Sequence, residues 1–240
     1  KMLAVIGAIN GVAPVAAPVI GGLLTGSVGW QGIFMILLFI GILLGIGCIR
    51  FKESLPAEKR SKTGVWATFR SFGIIVHNRR YMLYVFQLAF AQGILFAYIA
   101  SSPFIIQQHY GFSPFAFSIC FAVNAVAIGV AAALSVKFRR TENGTLTGCV
   151  GMLVFAVLQM AALYSGCGFW TYELLMFALL FMMGLTFTAS TTLAMDCERR
   201  YAGAASALLG ALCFASGGIV SPLVGLGDIL ISTGVTFVIC

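Results

Sequence analysis

Gln87, Tyr98, Ser101 and Ser102 recur within one apolar segment at separations close to multiples of 3.6. A helix carries such residues on one face. Hydrogen-bonding groups are costly in hydrocarbon unless they face protein or a water-filled space, so the stripe reads as the wall of a cavity, with Tyr98 and Ser101 as candidate substrate contacts. Gln92 lies about 120–140° away on the helical wheel, on a broader cavity wall or against a different helix. Asn124 is the only strong amide of its own segment. It either faces the cavity or forms an interhelical hydrogen bond worth about 0.6 kcal/mol. A later segment offers Met182, Met183, Thr186 and Thr188. Flexible, polarisable methionine beside aromatic rings suits a pocket for varied apolar ligands, which makes Met183 and Thr186 candidates, with ordinary helix packing as the alternative.

Other chemistry finds little footing. There is no HExxH zinc motif, and His77 and His109 lie at segment edges, away from any buried Ser or Cys for them to activate. The seven cysteines are scattered through apolar segments without CxxC spacing and read as free thiols, not as a disulfide framework or metal site. Neither a catalytic site, a metal nor a bound cofactor is expected. Glu173, Asp228, Asp196 and Glu198 fall toward segment ends. All four read as interfacial, which leaves no mid-segment carboxylate to carry a proton.

The segments themselves are membrane spans by composition. Hydrophobic residues make up 60% of the chain and charged ones 9%, against roughly 45–50% and 25% in soluble domains. A bilayer core about 30 Å thick accommodates helices of about 20 apolar residues. Candidate spans lie near 2–25, 31–49, 81–106, 113–136, 146–165, 169–195 and 202–226, with an eighth starting near 229. Only 50–80 reads as a sizeable polar loop. Short connections such as "TGSVGWQG" and "SGCGFWTY" have the glycine, serine and aromatic content of tight hairpins at a membrane interface. Numbering the connections alternately puts all fourteen Lys and Arg on one side. The positive-inside rule makes that side cytoplasmic, and it accounts for the net charge of +7 without invoking nucleic acid.

The first span contains "GVAPVAAPVIGG", residues 11–22, with two prolines and three glycines in an otherwise good helix. Small residues let helices approach closely in lipid, and proline bends them, so Pro14, Pro18, Gly21 and Gly22 are read as an interhelical interface. "APVIG" at 17–21 is echoed by "SPLVG" at 221–225, an offset of 204 residues, which adds Pro222 and Gly225 to that set. Transporters are commonly built from two such repeats of six helices. With that offset, 50–80 becomes the seam, and about 120 residues, four helices, are expected ahead of Lys1.

Together these stretches resemble the major facilitator superfamily, and within it the drug:proton antiporters of the bicyclomycin-resistance (Bcr/CflA) type. The opening is similar to the superfamily's fifth-helix antiporter motif G-x-x-x-G-P-x-x-G-G; Pro18, Gly21 and Gly22 match, and Ala13 and Ala17 stand where the motif has glycine. The likeness extends through "ESLP" at 53–56, "FAYIASSPF" at 96–104, "FAVNA" at 121–125 and "AGAASALLGA" at 202–211. The loop "SVKFRRTENG" departs from the pattern, keeping the basic residues of a gating motif that elsewhere also has glycine and aspartate.

The resemblance implies an all-α, polytopic transmembrane bundle of the major facilitator fold, truncated at both ends. Residues 1–50 would be the last two helices of the N-terminal half, 51–80 the cytoplasmic inter-half loop, and 81–240 the C-terminal half with an incomplete last helix. It implies a monomeric inner-membrane transporter expelling small lipophilic molecules in exchange for protons, with the proton gradient as its energy source and the coupling acid in the absent half. Export of a specific metabolite such as an amino acid, and a non-functional truncated chain, remain as alternatives. A membrane-embedded enzyme is disfavoured by the missing catalytic constellations.

Overall fold

A computed structural model describes residues 2–51, 65–138 and 140–240. Side chains at 2–19, 23, 25 and 65–69 lie outside that description. The first apolar segment is α1 (Met2–Arg50), interrupted at Gly29, where φ 66° and ψ −179° put the backbone in a region that only glycine enters readily. The two spans expected at 2–25 and 31–49 thus join through a single residue. Beyond Gly29 the helix is exposed along nearly its whole length, with Trp30, Phe34, Leu38 and Leu44 bare within the chain.

The polar seam holds an unanticipated helix, α2 (Val65–Val76). Its Ile75 is fully buried against Tyr81, Val85, Ala194 and Ala205, so part of 50–80 packs on the bundle as an amphipathic element. Residues 52–64 of the seam lie outside the described residues.

Five helices follow that pack as a bundle, with a shorter one beside them. Helix α3 (Arg79–Pro103) starts at Asn78, whose side chain accepts a hydrogen bond from the Tyr81 backbone. Pro103 has no amide hydrogen to donate, which argues for a helix end here, but the helical path continues. It relaxes into a π-helical turn, Phe104–His109, whose wider hydrogen bonding accommodates the missing proline donor. Helix α4 (Pro114–Ser135) has Ser113 as cap and proline in its first turn. Then come α5 (Thr141–Tyr164), α6 (Phe169–Cys197), α7 (Ala202–Leu223) and the shorter α8 (Ile229–Ile239), whose cap Asp228 accepts from the Leu230 and Ile231 amides. Among the described residues, six helices are long and apolar enough to cross a membrane.

Helix α6 is the hub, packed against α3, α4 and α5, while α3 also packs on α7 and α5 on α8. Close approach without a hydrophobic driving force requires small residues. Gly184 supplies one such point: a Cβ there would sit 2.5 Å from the Ile128 carbonyl oxygen and 2.9 Å from the Ala131 methyl of α4. The central core gathers Ile94, Tyr98, Met176, Leu180, Met183 and Phe237.

One end of the bundle is tied by polar links. Tyr81 donates to the Ala205 carbonyl (2.6 Å), Asn78 to Glu198 Oε1 (2.6 Å), and Arg80 pairs with Glu142 (3.2 Å). The starts of α3, α5 and α7 and the end of α6 therefore share one side, and this is the basic end of the chain.

Candidate functional site

The polar stripe of α3 is buried as a unit. Tyr98, Ser101 and Ser102 are sealed from solvent, and the amide atoms of Gln87 are buried too. Gln92 is half-buried on another face. Tyr98 stacks on Phe121 of α4 with ring centroids 5.3 Å apart, and Phe117 lies 5.9 Å beyond Phe121.

The Tyr98 hydroxyl is held by Asn124, whose Nδ2 donates to it at 3.0 Å. The same nitrogen donates to Oε1 of Glu173 at 2.9 Å. Both hydrogens of one amide thus join α3, α4 and α6. The amide orientation is chemically sound, since the reverse flip would set Oδ1 against the carboxylate. Asn124 thereby serves both readings at once: it is an interhelical link, and the link holds an acid.

Glu173 overturns the interfacial assignment. It lies one turn into α6, as its position in the sequence indicates, but the side chain turns into the bundle and its Oε2 is buried without a hydrogen-bond partner. Oδ1 of Asn124 and the hydroxyl of fully buried Tyr172 are likewise unpartnered. A signal for this existed in the sequence: Glu173 is separated by 3, 7 and 10 residues from Met176, Leu180 and Met183, which places it at the edge of their buried stripe.

The other candidates divide between this core and the α5–α6 contact. Met183 belongs to the core that includes Tyr98. Thr186 is buried where α6 meets α5, and a Cβ at Gly148 would overlap its hydroxyl. Gln159 of α5 is a fully buried amide that the sequence did not single out.

Of the proposed interface residues, Gly22 has a definite neighbour. A Cβ there would overlap the Ser118 hydroxyl, so α1 meets α4 at van der Waals distance. Gly21 is half-buried beside it, and Pro222 and Gly225 are exposed on α7 and just past its end. Pro14 and Pro18 fall on α1 outside the described side chains. At the end nearer Glu173, the Tyr110 hydroxyl donates to the Cys167 carbonyl (2.9 Å), and burial pushes its phenol pKa up. Its ring packs 5.8 Å from that of Tyr172. Among the described residues, no group of three metal-ligating side chains occurs.

Residues 1–222 match the family model described as the Major Facilitator Superfamily. Similar curated proteins include an uncharacterised MFS-type transporter, YdgK, of Bacillus subtilis, 36% identical over 95% of this chain and 58% of its own length. A bicyclomycin resistance protein homolog of Haemophilus influenzae is 27% identical over 93% of the chain and 57% of its own. Multidrug transporter MdfA of Edwardsiella ictaluri is 25% identical over 48% of the chain and 28% of its own. The chain thus spans somewhat over half the length of the first two.

Proposed function

Because the chain belongs to the major facilitator superfamily, we propose that it is part of an efflux transporter that expels small, largely apolar molecules in exchange for inward protons. The observation that carries the reading is the Tyr98–Asn124–Glu173 cluster, an acid and two hydrogen-bonding groups drawn from three helices of an otherwise apolar bundle. Relatives named for bicyclomycin resistance and multidrug transport support the direction and the cargo class. The family is one of transporters, not enzymes.

Alternating access follows if two six-helix halves rock about a fixed central site. The proton gradient supplies the energy, with no bound cofactor. The smooth contact of Gly22 on Ser118 belongs to the surface on which the halves slide, and the prolines and glycines at 14, 18, 21, 222 and 225 are assigned to the same surface. The basic end of the bundle faces the cytoplasm and the membrane is the inner one, by the positive-inside rule. The complete protein works as a monomer.

The test is everted vesicles carrying the protein from its complete gene, energised with a pH gradient while internal pH is followed. Release of protons as lipophilic compounds are added is the expected result. A folded, inserted protein that moves no protons across a broad panel would overturn antiport.

A further inference from the structure

The contact of α4 with α6 leaves an open groove on the outside of the bundle. Toward the basic end it widens to a hollow of about 500 Å³, lined by Leu134, Lys137 and Phe138 at the end of α4 and by Phe181 and Leu185 of α6. A second hollow of about 280 Å³, with Val123, Val126 and Phe177 in its wall, lies on the same two helices farther from that end. On α6, positions 177, 181 and 185 are each four apart and share one face. On α4, positions 119, 123, 126, 130 and 134 recur at three or four, and Val123, Val126 and Val130 are each nearly half exposed. The two hollows are therefore successive stretches of one apolar groove. Helix α1 does not cover it, since α1 meets α4 at Ser118, about 100° around the helix from Ile119.

The charge of the groove stands at its mouth. Lys137 is exposed just past the end of α4, and among the described residues its ammonium has no acidic partner, unlike Arg80 and Arg199, which pair with Glu142 and Asp196. Arg140 is exposed and without an acidic partner in the same way. Phe138 joins this mouth to the first turn of α5, where a Cβ on Gly144 would lie 3.5 Å from its ring. That turn has no side-chain cap, so its free amides and the positive end of the helix dipole add to the field of the two cations. Glu142 in the same turn is engaged by Arg80. An apolar groove with cations and a helix start at its mouth is the chemistry that recognises an amphiphile with an anionic head, and in a bilayer that amphiphile is an anionic phospholipid. The lengths agree: Val126 lies about 16 Å along α4 from Lys137, close to one leaflet, or about half of a 30 Å hydrocarbon core.

We propose that the α4–α6 groove holds one anionic phospholipid of the leaflet at the basic end, with an acyl chain lying along Phe181 and Leu185 toward Val126 and its phosphate paired with Lys137 and Arg140. Seated there, the lipid braces α4 against α6, the pair whose backbones come closest at Gly184. The site requires only that these helices span a bilayer, and it stands independently of the efflux reading.

The experiment uses the purified complete protein in a mild detergent, titrated separately with dioleoyl phosphatidylglycerol and dioleoyl phosphatidylcholine, with bound lipids counted by native mass spectrometry. The first phosphatidylglycerol is expected to bind about fivefold or more tighter than the first phosphatidylcholine, since one Lys or Arg near a membrane surface confers roughly that preference. Lys137→Gln should lower the preference about fivefold, and Lys137→Arg should keep it. Phe181→Ala removes part of the groove wall and should weaken both lipids alike. Arg200→Gln is the control, because Arg200 lies at the same end over the Tyr201 ring and away from the groove, and it should change neither. An excess of glycerol phosphate should leave the bound lipid in place, since it lacks the chain. A preference that survives Lys137→Gln overturns the assignment, and it is the result expected if helices of the complete protein cover the groove. An equal fall in Arg200→Gln, or displacement of the lipid by glycerol phosphate, also overturns it.

Discussion

The two ends of the bundle handle polarity in opposite ways. At the basic end, Tyr81, Asn78 and Arg80 each find a partner on another helix or at its terminus, and the Arg80–Glu142 and Arg199–Asp196 pairs are open to solvent. At the other end, Tyr98 and Asn124 are buried, Glu173 is half-buried, and Oδ1 of Asn124 and Oε2 of Glu173 are left without donors. A satisfied link fastens helices together. An unsatisfied one is kept at a cost, and the proposed function assigns the cost at Asn124 and Glu173 to transport.

Substitutions can break this contrast, beginning with the packing on which both ends depend. Gly184→Val is expected to be the most damaging to stability. Its side chain would drive into the α4 backbone at Ile128, and overpacking of this kind typically costs about 1–3 kcal/mol, visible as lost abundance and a lower melting temperature in detergent. Asn124→Leu comes next. It strips the amide from both Tyr98 and Glu173, and stranding buried partners costs roughly 1–3 kcal/mol, so transport and the melting temperature should fall together. Tyr98→Phe keeps the stack on Phe121 and removes only the hydroxyl, for an expected loss of about 1 kcal/mol read as weaker substrate binding with unchanged abundance. Arg80→Ala should be nearly silent. The pair it breaks is exposed and screened by solvent, so a thermal melt should barely move. A large effect at Arg80 and none at Asn124 would reverse the comparison.

Much of the fold was legible because hydrocarbon imposes a simple rule: long apolar runs must be helical. Span positions in 81–226 agree with the helices to within a few residues at most ends, and the stripe of α3 is buried as its spacing implied. Two features of the backbone were not legible. Pro103 lacks an amide hydrogen, which argues for an ending, yet a π turn carries the path on. The helix at Val65–Val76 was hidden because its polar surroundings masked one apolar face. At the candidate site, Tyr98 and Asn124 could be named but not paired, since helix spacing fixes a face and not the opposite neighbour. Glu173 was misjudged for a related reason. Position along the chain gives depth in the membrane, whereas a glutamate one turn from a helix end can reach either outward or inward, and only the donor on α4 decides.

The most direct test of the central claim is proton counting on the purified complete protein in weak buffer as lipophilic compounds are added. The account predicts release of a proton with each compound bound by the wild type, and none from Glu173→Gln, which removes the acid of the Tyr98–Asn124–Glu173 cluster. Undiminished release from that variant would place the exchange at another group and contradict the account.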